Sequence, residues 1–108
     1  MEFNVYQNLS KRTINPINTT DLNILEASMG MSGEAGEVTD AIKKVYFQGH
    51  RLDIDEIVKE MGDCLWYIAL LCTALNIEME EVAEKNIDKL KVRYPDKFDI
   101  EKSVNRDV

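Results

Sequence analysis

The sequence predicts an all-α fold. Three observations lead there. Apolar residues recur at three- and four-residue spacing along most of its length. Helix caps and helix stops punctuate it, and no alternating strand pattern competes anywhere.

The first helix is expected over residues 2 to 13, where Phe3, Tyr6 and Leu9 share helical spacing. "TINPINTTD" follows, and its asparagines, Pro16 and paired threonines mark a loop. Thr20 or Asp21 then offers an N-cap for a long second helix running to about Phe47. "QGHRLDID" is the next break, with Gly49 as the stop and Asp53 or Asp55 as the next cap. A third helix spans roughly 54 to 75. The fourth runs from about Glu78 to Arg93, with Glu80 and Glu81 favourably placed against the dipole of its first turn. Pro95 ends it, because the residue before a proline avoids helical geometry. From about 95 the chain reads as an extended or loosely helical tail. The expectation is a four-helix bundle.

The third helix carries too much apolar surface for a lone bundle. Ile57, Met61, Cys64, Ile68, Leu71 and Leu75 form one arc, and Trp66, Tyr67 and Leu70 form a second on roughly the opposite side. A helix apolar on most of its circumference must be covered on most of it. Three other helices from a short chain hardly suffice, so a homo-oligomer is expected; dimer and tetramer are both compatible.

At 108 residues the chain is expected to form one domain, 1–108. A hydrophobic share of 44% excludes disorder. The net charge of −7 argues against nucleic acid and anionic membranes, which require basic faces. Cys64 and Cys72 lie about 12 Å apart along a helix axis, too far to bridge. With no other cysteine, a reducing compartment is expected. "MEFNVYQNLSKR" has no signal-peptide core, and the uncharged run from Cys64 to Ile77 is too short to span a bilayer. These points predict a cytoplasmic protein.

The chemistry concentrates in two stretches, "GMSGEAGEV" and "KEMGDCLWY". Each sets acidic residues three apart, Glu34 with Glu37 and Glu60 with Asp63, so each pair lies on one helix face. Asp63 falls on the arc of Trp66, Tyr67 and Leu70, which predicts a sheltered carboxylate. Neighbouring half-buried carboxylates repel strongly unless something positive sits between them. Oxygen ligands without a Cys or His cluster favour Mg²⁺ or Mn²⁺ over Zn²⁺. Four converging carboxylates would hold one or two such ions. Gly30, Gly33 and Gly36, with Gly62 opposite, are expected to let backbones and ligand come close. Glu78/Glu81 and Glu81/Glu84 have the same spacing, yet read as helix-start charges on a solvated face.

Cations extend the pattern. Lys44 shares the Glu34/Glu37 face, and Asn86, Lys89 and Arg93 share a face of the fourth helix. Such groups suit phosphate oxygens. Beside a metal they point to a metal-bound polyphosphate. His50 sits in a loop and is not read as a metal ligand.

The stretches "MGMSGEAGEVTDAIKKVYFQGH", "EIVKEMGDCLWYIALL" and "NIDKLKVRYPDKF" together resemble the MazG-like all-α nucleoside triphosphate pyrophosphohydrolases, over about residues 3 to 106. The resemblance implies a Mg²⁺-dependent enzyme that cleaves a nucleoside triphosphate between the α- and β-phosphates. It implies metal-binding roles for Glu34, Glu37, Glu60 and Asp63. Asn86, Lys89 and Arg93 match a polar face that meets phosphate. It also implies a dimer or tetramer. Glu78 departs from the family's usual Ser or Thr before the last helix, which predicts a weaker cap. Either Glu37 or Glu34 would take the proton of the attacking water, and Tyr6, Trp66 and Tyr94 are candidates to stack on the base. The competing functions are a non-catalytic helical module binding metal or nucleotide, and a related enzyme acting on phosphoribosyl-ATP. A substrate panel separates all three; the base, the sugar and the biological role are not legible.

Overall fold

A computed structural model describes residues 1–106; positions 107 and 108 of the expected tail lie outside the described residues. Among the described residues there are helices and no strand. The order is α1 (Phe3–Ser10), a 3-10 turn (Lys11–Thr13), α2 (Thr20–Phe47), α3 (Ile54–Ala74), α4 (Met79–Arg93) and a short α5 (Ile100–Val104) in the tail. The long helices α2 and α3 form an antiparallel hairpin that dominates the packing. Helix α1 lies on α3, and α4 leans on α1 and the end of α3.

The helix ends explain these bounds. Thr19 caps α2, one residue before the positions expected, its hydroxyl accepting the Leu22 N–H at 3.2 Å. Thr19 has the extended backbone a cap requires, whereas Thr20 and Asp21 are already helical. Gly49, with φ of +71°, turns the chain out of α2 in a conformation that disfavours any side chain. The N–H groups of Gln48 and His50 both return to the Lys44 carbonyl, each at 3.1 Å. Asp53 caps α3 by accepting the Glu56 N–H at 3.1 Å.

Helix α4 is capped from elsewhere. Glu78 at its N-cap makes no capping bond of its own. Instead Gln7 of α1 accepts the Met79 N–H at 2.8 Å, and Asn4 accepts the Glu80 N–H at 3.1 Å. Asn4 also donates to Glu78 Oε2 at 3.1 Å. Gln7 is buried and uses its amide nitrogen on the Ile77 carbonyl at 2.9 Å. The weakened cap read from Glu78 is thus replaced by two amide side chains of another helix.

The fully covered apolar set is small: Ala27, Ala69, Leu70, Cys72 and Met79. Tyr6, Leu65, Ile68 and Ile77 pack around Ala69, Cys72 and Met79, where α1, α3 and the start of α4 meet. Beyond that junction much apolar surface stays uncovered. On α3, Met61 is 51% exposed and Leu75 49%, and Ile54 and Val58 join them on one stripe. On α4 every residue from 84 to 92 is exposed, including Ile87, Leu90 and Val92. The radius of gyration is 17.0 Å, against about 13 Å for a compact chain of this length. No helix among the described residues is long and apolar enough to cross a membrane.

The amide caps make Gln7 a structural keystone. Gln7→Ala leaves buried Met79 N–H and Ile77 carbonyl groups without partners and is expected to cost about 1–3 kcal/mol in urea unfolding. Asn8→Ala, on an exposed neighbouring position, is expected to change stability by less than about 0.5 kcal/mol. Equal effects from the two substitutions would contradict this role.

Candidate functional site

The α2–α3 hairpin brings the two acidic stretches face to face. Single carboxylate oxygens of Glu34, Glu60 and Asp63 all lie within 4.8 Å of one another. Glu34 and Glu60 are half-buried, while Asp63 is exposed. The sheltered Asp63 read from the helix arc is therefore corrected. It sits at the open rim of the seam, and the apolar residues of its arc begin one turn further on.

Glu37 stands outside this triad but close enough to act on it. Glu60 is pushed up to about 7, first by its hydrogen bond with Glu34, then by desolvation and the charges of Glu34, Glu37 and Glu56. A proton on Glu60 relieves the repulsion between it and the facing carboxylates. A hard divalent cation would replace that proton with two charges and accept all three oxygens, so the donor set fits Mg²⁺ or Mn²⁺.

The cations occupy other places. Lys44 pairs with Asp40 at 3.0 Å, one turn below it on α2, and Lys43 meets the same carboxylate at 3.2 Å. The two lysines hold Asp40 below the usual carboxylate range through hydrogen bonds and charge. Lys44 also feels Glu37, and both line a cleft of about 230 Å³ with Glu60, His50, Arg51 and Glu56. Arg51 was missed in the sequence, where it is one basic residue in a loop; only the fold sets it beside Lys44. Asn86 and Lys89 lie on the exposed run of α4, and Arg93 at its end. None of the charges acting on Glu60 comes from α4.

The glycines divide. A Cβ on Gly30 would drive into the Tyr67 ring, so Gly30 permits that ring to lie against α2. Gly33, Gly36 and Gly62 have nothing within 4 Å of where a Cβ would stand. Within one chain these three serve no close helix contact, so of the four glycines only Gly30 admits a neighbouring side chain.

The aromatics proposed for base stacking are all engaged. Trp66 meets Tyr67 edge-on at 5.1 Å and donates to the Thr13 hydroxyl at 2.8 Å. Tyr94 lies 5.2 Å from Phe98. Tyr6 packs on the core, and its hydroxyl is pushed up by burial and by the charge of Asp63. Tyr67, on the second apolar arc of α3, lines an open cavity of about 480 Å³ with Gly30, Leu22, Leu25 and Met29. The seam thus runs from an apolar cavity, through the triad, to a cleft holding the basic groups.

Comparison with known proteins gives the family. The MazG nucleotide pyrophosphohydrolase domain matches residues 24–98, well over half of the chain. The chain belongs to that family. A relative, Gene 37 protein of Mycobacterium phage L5, is 36% identical over 73 residues, covering 61% of each chain. The chain therefore spans about three fifths of the length of that curated relative. No solved structure matches.

The proton on Glu60 has a pH signature. Glu60 is bound more tightly to its proton in the folded chain than its ordinary value of 4.5 allows. Its contribution to stability is complete below that value and is lost as pH rises through about 7. In EDTA, the melting temperature is expected to fall between about pH 5 and pH 8. Glu60→Gln should flatten the fall, and Mg²⁺ should restore stability at the upper end. A profile that rises over this range in EDTA would contradict the proton on Glu60.

Proposed function

We propose that the chain is a Mg²⁺-dependent nucleoside triphosphate pyrophosphohydrolase, with Mn²⁺ able to substitute, releasing nucleoside monophosphate and pyrophosphate. The single observation that carries this is the convergence of Glu34, Glu60 and Asp63, in a chain of this family, between an apolar cavity and a cation-bearing cleft. A nucleoside triphosphate has the same sequence of parts: an apolar base, a sugar and an anionic tail.

Glu34, Glu60 and Asp63 would hold the cation, with Glu37 at the border of its shell. When bound, the ion supplies charge neutralisation and Lewis acidity to the triphosphate. Glu37 is the carboxylate outside the triad, so in this reading it takes the proton as water adds to phosphorus. The α–β anhydride bond breaks and the electron pair leaves with pyrophosphate. Lys44, with Asn86, Lys89 and Arg93 delivered by α4, would stabilise that leaving charge.

Delivery of α4 calls for a second copy of the chain. The exposed run of α4 sets Ile87, Leu90 and Val92 among charges of both signs, Glu84 and Asp88 with Lys89, Lys91 and a Lys85 paired to Glu81, an apolar surface with nothing of its own chain to cover it. A 15-residue helix covered only at its first turns is marginal in isolation. Burial of α4 and of the Ile54, Val58 and Met61 stripe on another protomer accounts for both the open shape and the exposed surface. In this reading the enzyme is a homodimer or homotetramer, acts on free nucleotides, and engages neither nucleic acid nor membrane in the cytoplasm.

Incubation with the eight common NTPs and dNTPs plus Mg²⁺ is expected to release pyrophosphate and monophosphate. Persistent absence of pyrophosphate with either Mg²⁺ or Mn²⁺ would favour a non-catalytic binding module. Cleavage of phosphoribosyl-ATP alone would assign the related activity. Glu37→Gln is expected to lower kcat at least about 100-fold. Asp63→Asn should weaken Mn²⁺ binding in electron paramagnetic resonance, and full activity in either variant refutes its assignment. Sedimentation should give a multiple of 12.4 kDa, reduced to the monomer by Val58→Glu. A wild-type monomer would overturn the assembly.

A further inference from the structure

We propose that the cavity between Gly30 and Tyr67 receives the base of the nucleotide and selects guanine through Asn18 and Glu26; this rests on the pyrophosphohydrolase reading. The cavity lies on the same seam as the triad. Gly30 is one helical turn from Glu34 along α2, and Tyr67 one turn from Asp63 along α3, about 6 Å in each case. Leu22, Leu25 and Met29 supply apolar walls.

Tyr67 is a prepared platform. Its ring lies against α2 because Gly30 has no side chain. Trp66 stands perpendicular to it at 5.1 Å and 87°, and Trp66 is itself tied to Thr13. A ring fixed in this way stacks on a base with little loss of freedom.

The polar rim is chemically one-sided. Asn18 Nδ2 donates to Asn23 Oδ1 at 3.2 Å and to Glu26 Oε1 at 3.0 Å. A carboxylate only accepts, so Glu26 fixes the orientation of the Asn18 amide. Both amide N–H groups are thereby engaged. What this pair offers a ligand is oxygen: Asn18 Oδ1 and the Glu26 carboxylate.

Two acceptors side by side favour two adjacent donors. Guanine presents N1–H beside its N2 amine. Adenine and cytosine place an acceptor nitrogen beside their amine, and uracil and thymine flank N3–H with carbonyls. Guanine is the common base whose hydrogen-bonding edge matches, and a mismatch leaves oxygen facing oxygen.

The test compares dGTP, dATP, dCTP and dTTP with wild type, Glu26→Gln and Tyr67→Leu. Wild type is expected to favour dGTP over dTTP at least about tenfold in kcat/KM. Glu26→Gln should abolish that preference by lowering kcat/KM for dGTP and raising it for dTTP, whose carbonyl then meets an amide donor, and leave Mn²⁺ binding unchanged. Tyr67→Leu should raise KM for all four alike, because stacking does not read the edge. Absence of a dGTP preference in wild type, or an equal loss on all four substrates in Glu26→Gln, overturns the proposal. Amide NMR with dGMP and dTMP gives a readout independent of hydrolysis. Shifts at Gly30 and Tyr67 that saturate at least about tenfold lower in dGMP than in dTMP support the base site and its selectivity even if no triphosphate is cleaved. Equal saturation, or no shifts, overturn it.

Discussion

Two carboxylates on facing helices cannot both keep their charge at hydrogen-bond distance without a cation between them. Glu34 of α2 and Glu60 of α3 are in that position, and the contact pushes Glu60 up to about 7. The rest of the site follows from this constraint. The hairpin must hold its two helices close enough to impose the repulsion, and a hard cation relieves it more completely than a proton does. The residues that anchor the hairpin therefore also set the affinity of the site.

The seam also gives the site a direction. Toward the start of α2 it opens into an apolar cavity floored by Tyr67; toward the end of α2 it opens into a cleft where Lys44, His50 and Arg51 gather. Glu37 stands on the cleft side of the triad. An extended ligand with an apolar head and an anionic tail therefore has one sensible orientation, with its tail against the cations. Thr19, Gly49 and Asp53 are far from the triad in sequence, yet they fix the ends of the two helices and so the ends of this groove.

Much of the fold was legible because it depends on local rules. Helical spacing, Gly49, Asp53 and Pro95 located α2, α3 and α4 to within a residue or two, while the first helix gives way after Ser10 to a 3-10 turn over Lys11–Thr13. The cap of α4 was not legible: it comes from Gln7 and Asn4, more than 70 positions away. At the site, facing acidic pairs were visible as a pattern, but which carboxylates meet was not. Helix phase alone could not distinguish Asp63 at the open rim from the sheltered Tyr67 side. It could not separate Gly30, which admits a ring, from Gly33, Gly36 and Gly62, which face open space. Trp66 reads as a candidate to stack on the base, yet Thr13 and Tyr67 occupy it. Arg51 carried no signal at all.

The central claim is that Glu34 and Glu60 compete for one positive charge. The most direct measurement is a carboxyl-carbon NMR titration of Glu60, with and without Mg²⁺. Without the ion, Glu60 should titrate near 7, and with it the midpoint should fall well below that value. A midpoint near the ordinary 4.5 in the metal-free protein, or one that Mg²⁺ leaves unmoved, would contradict the account.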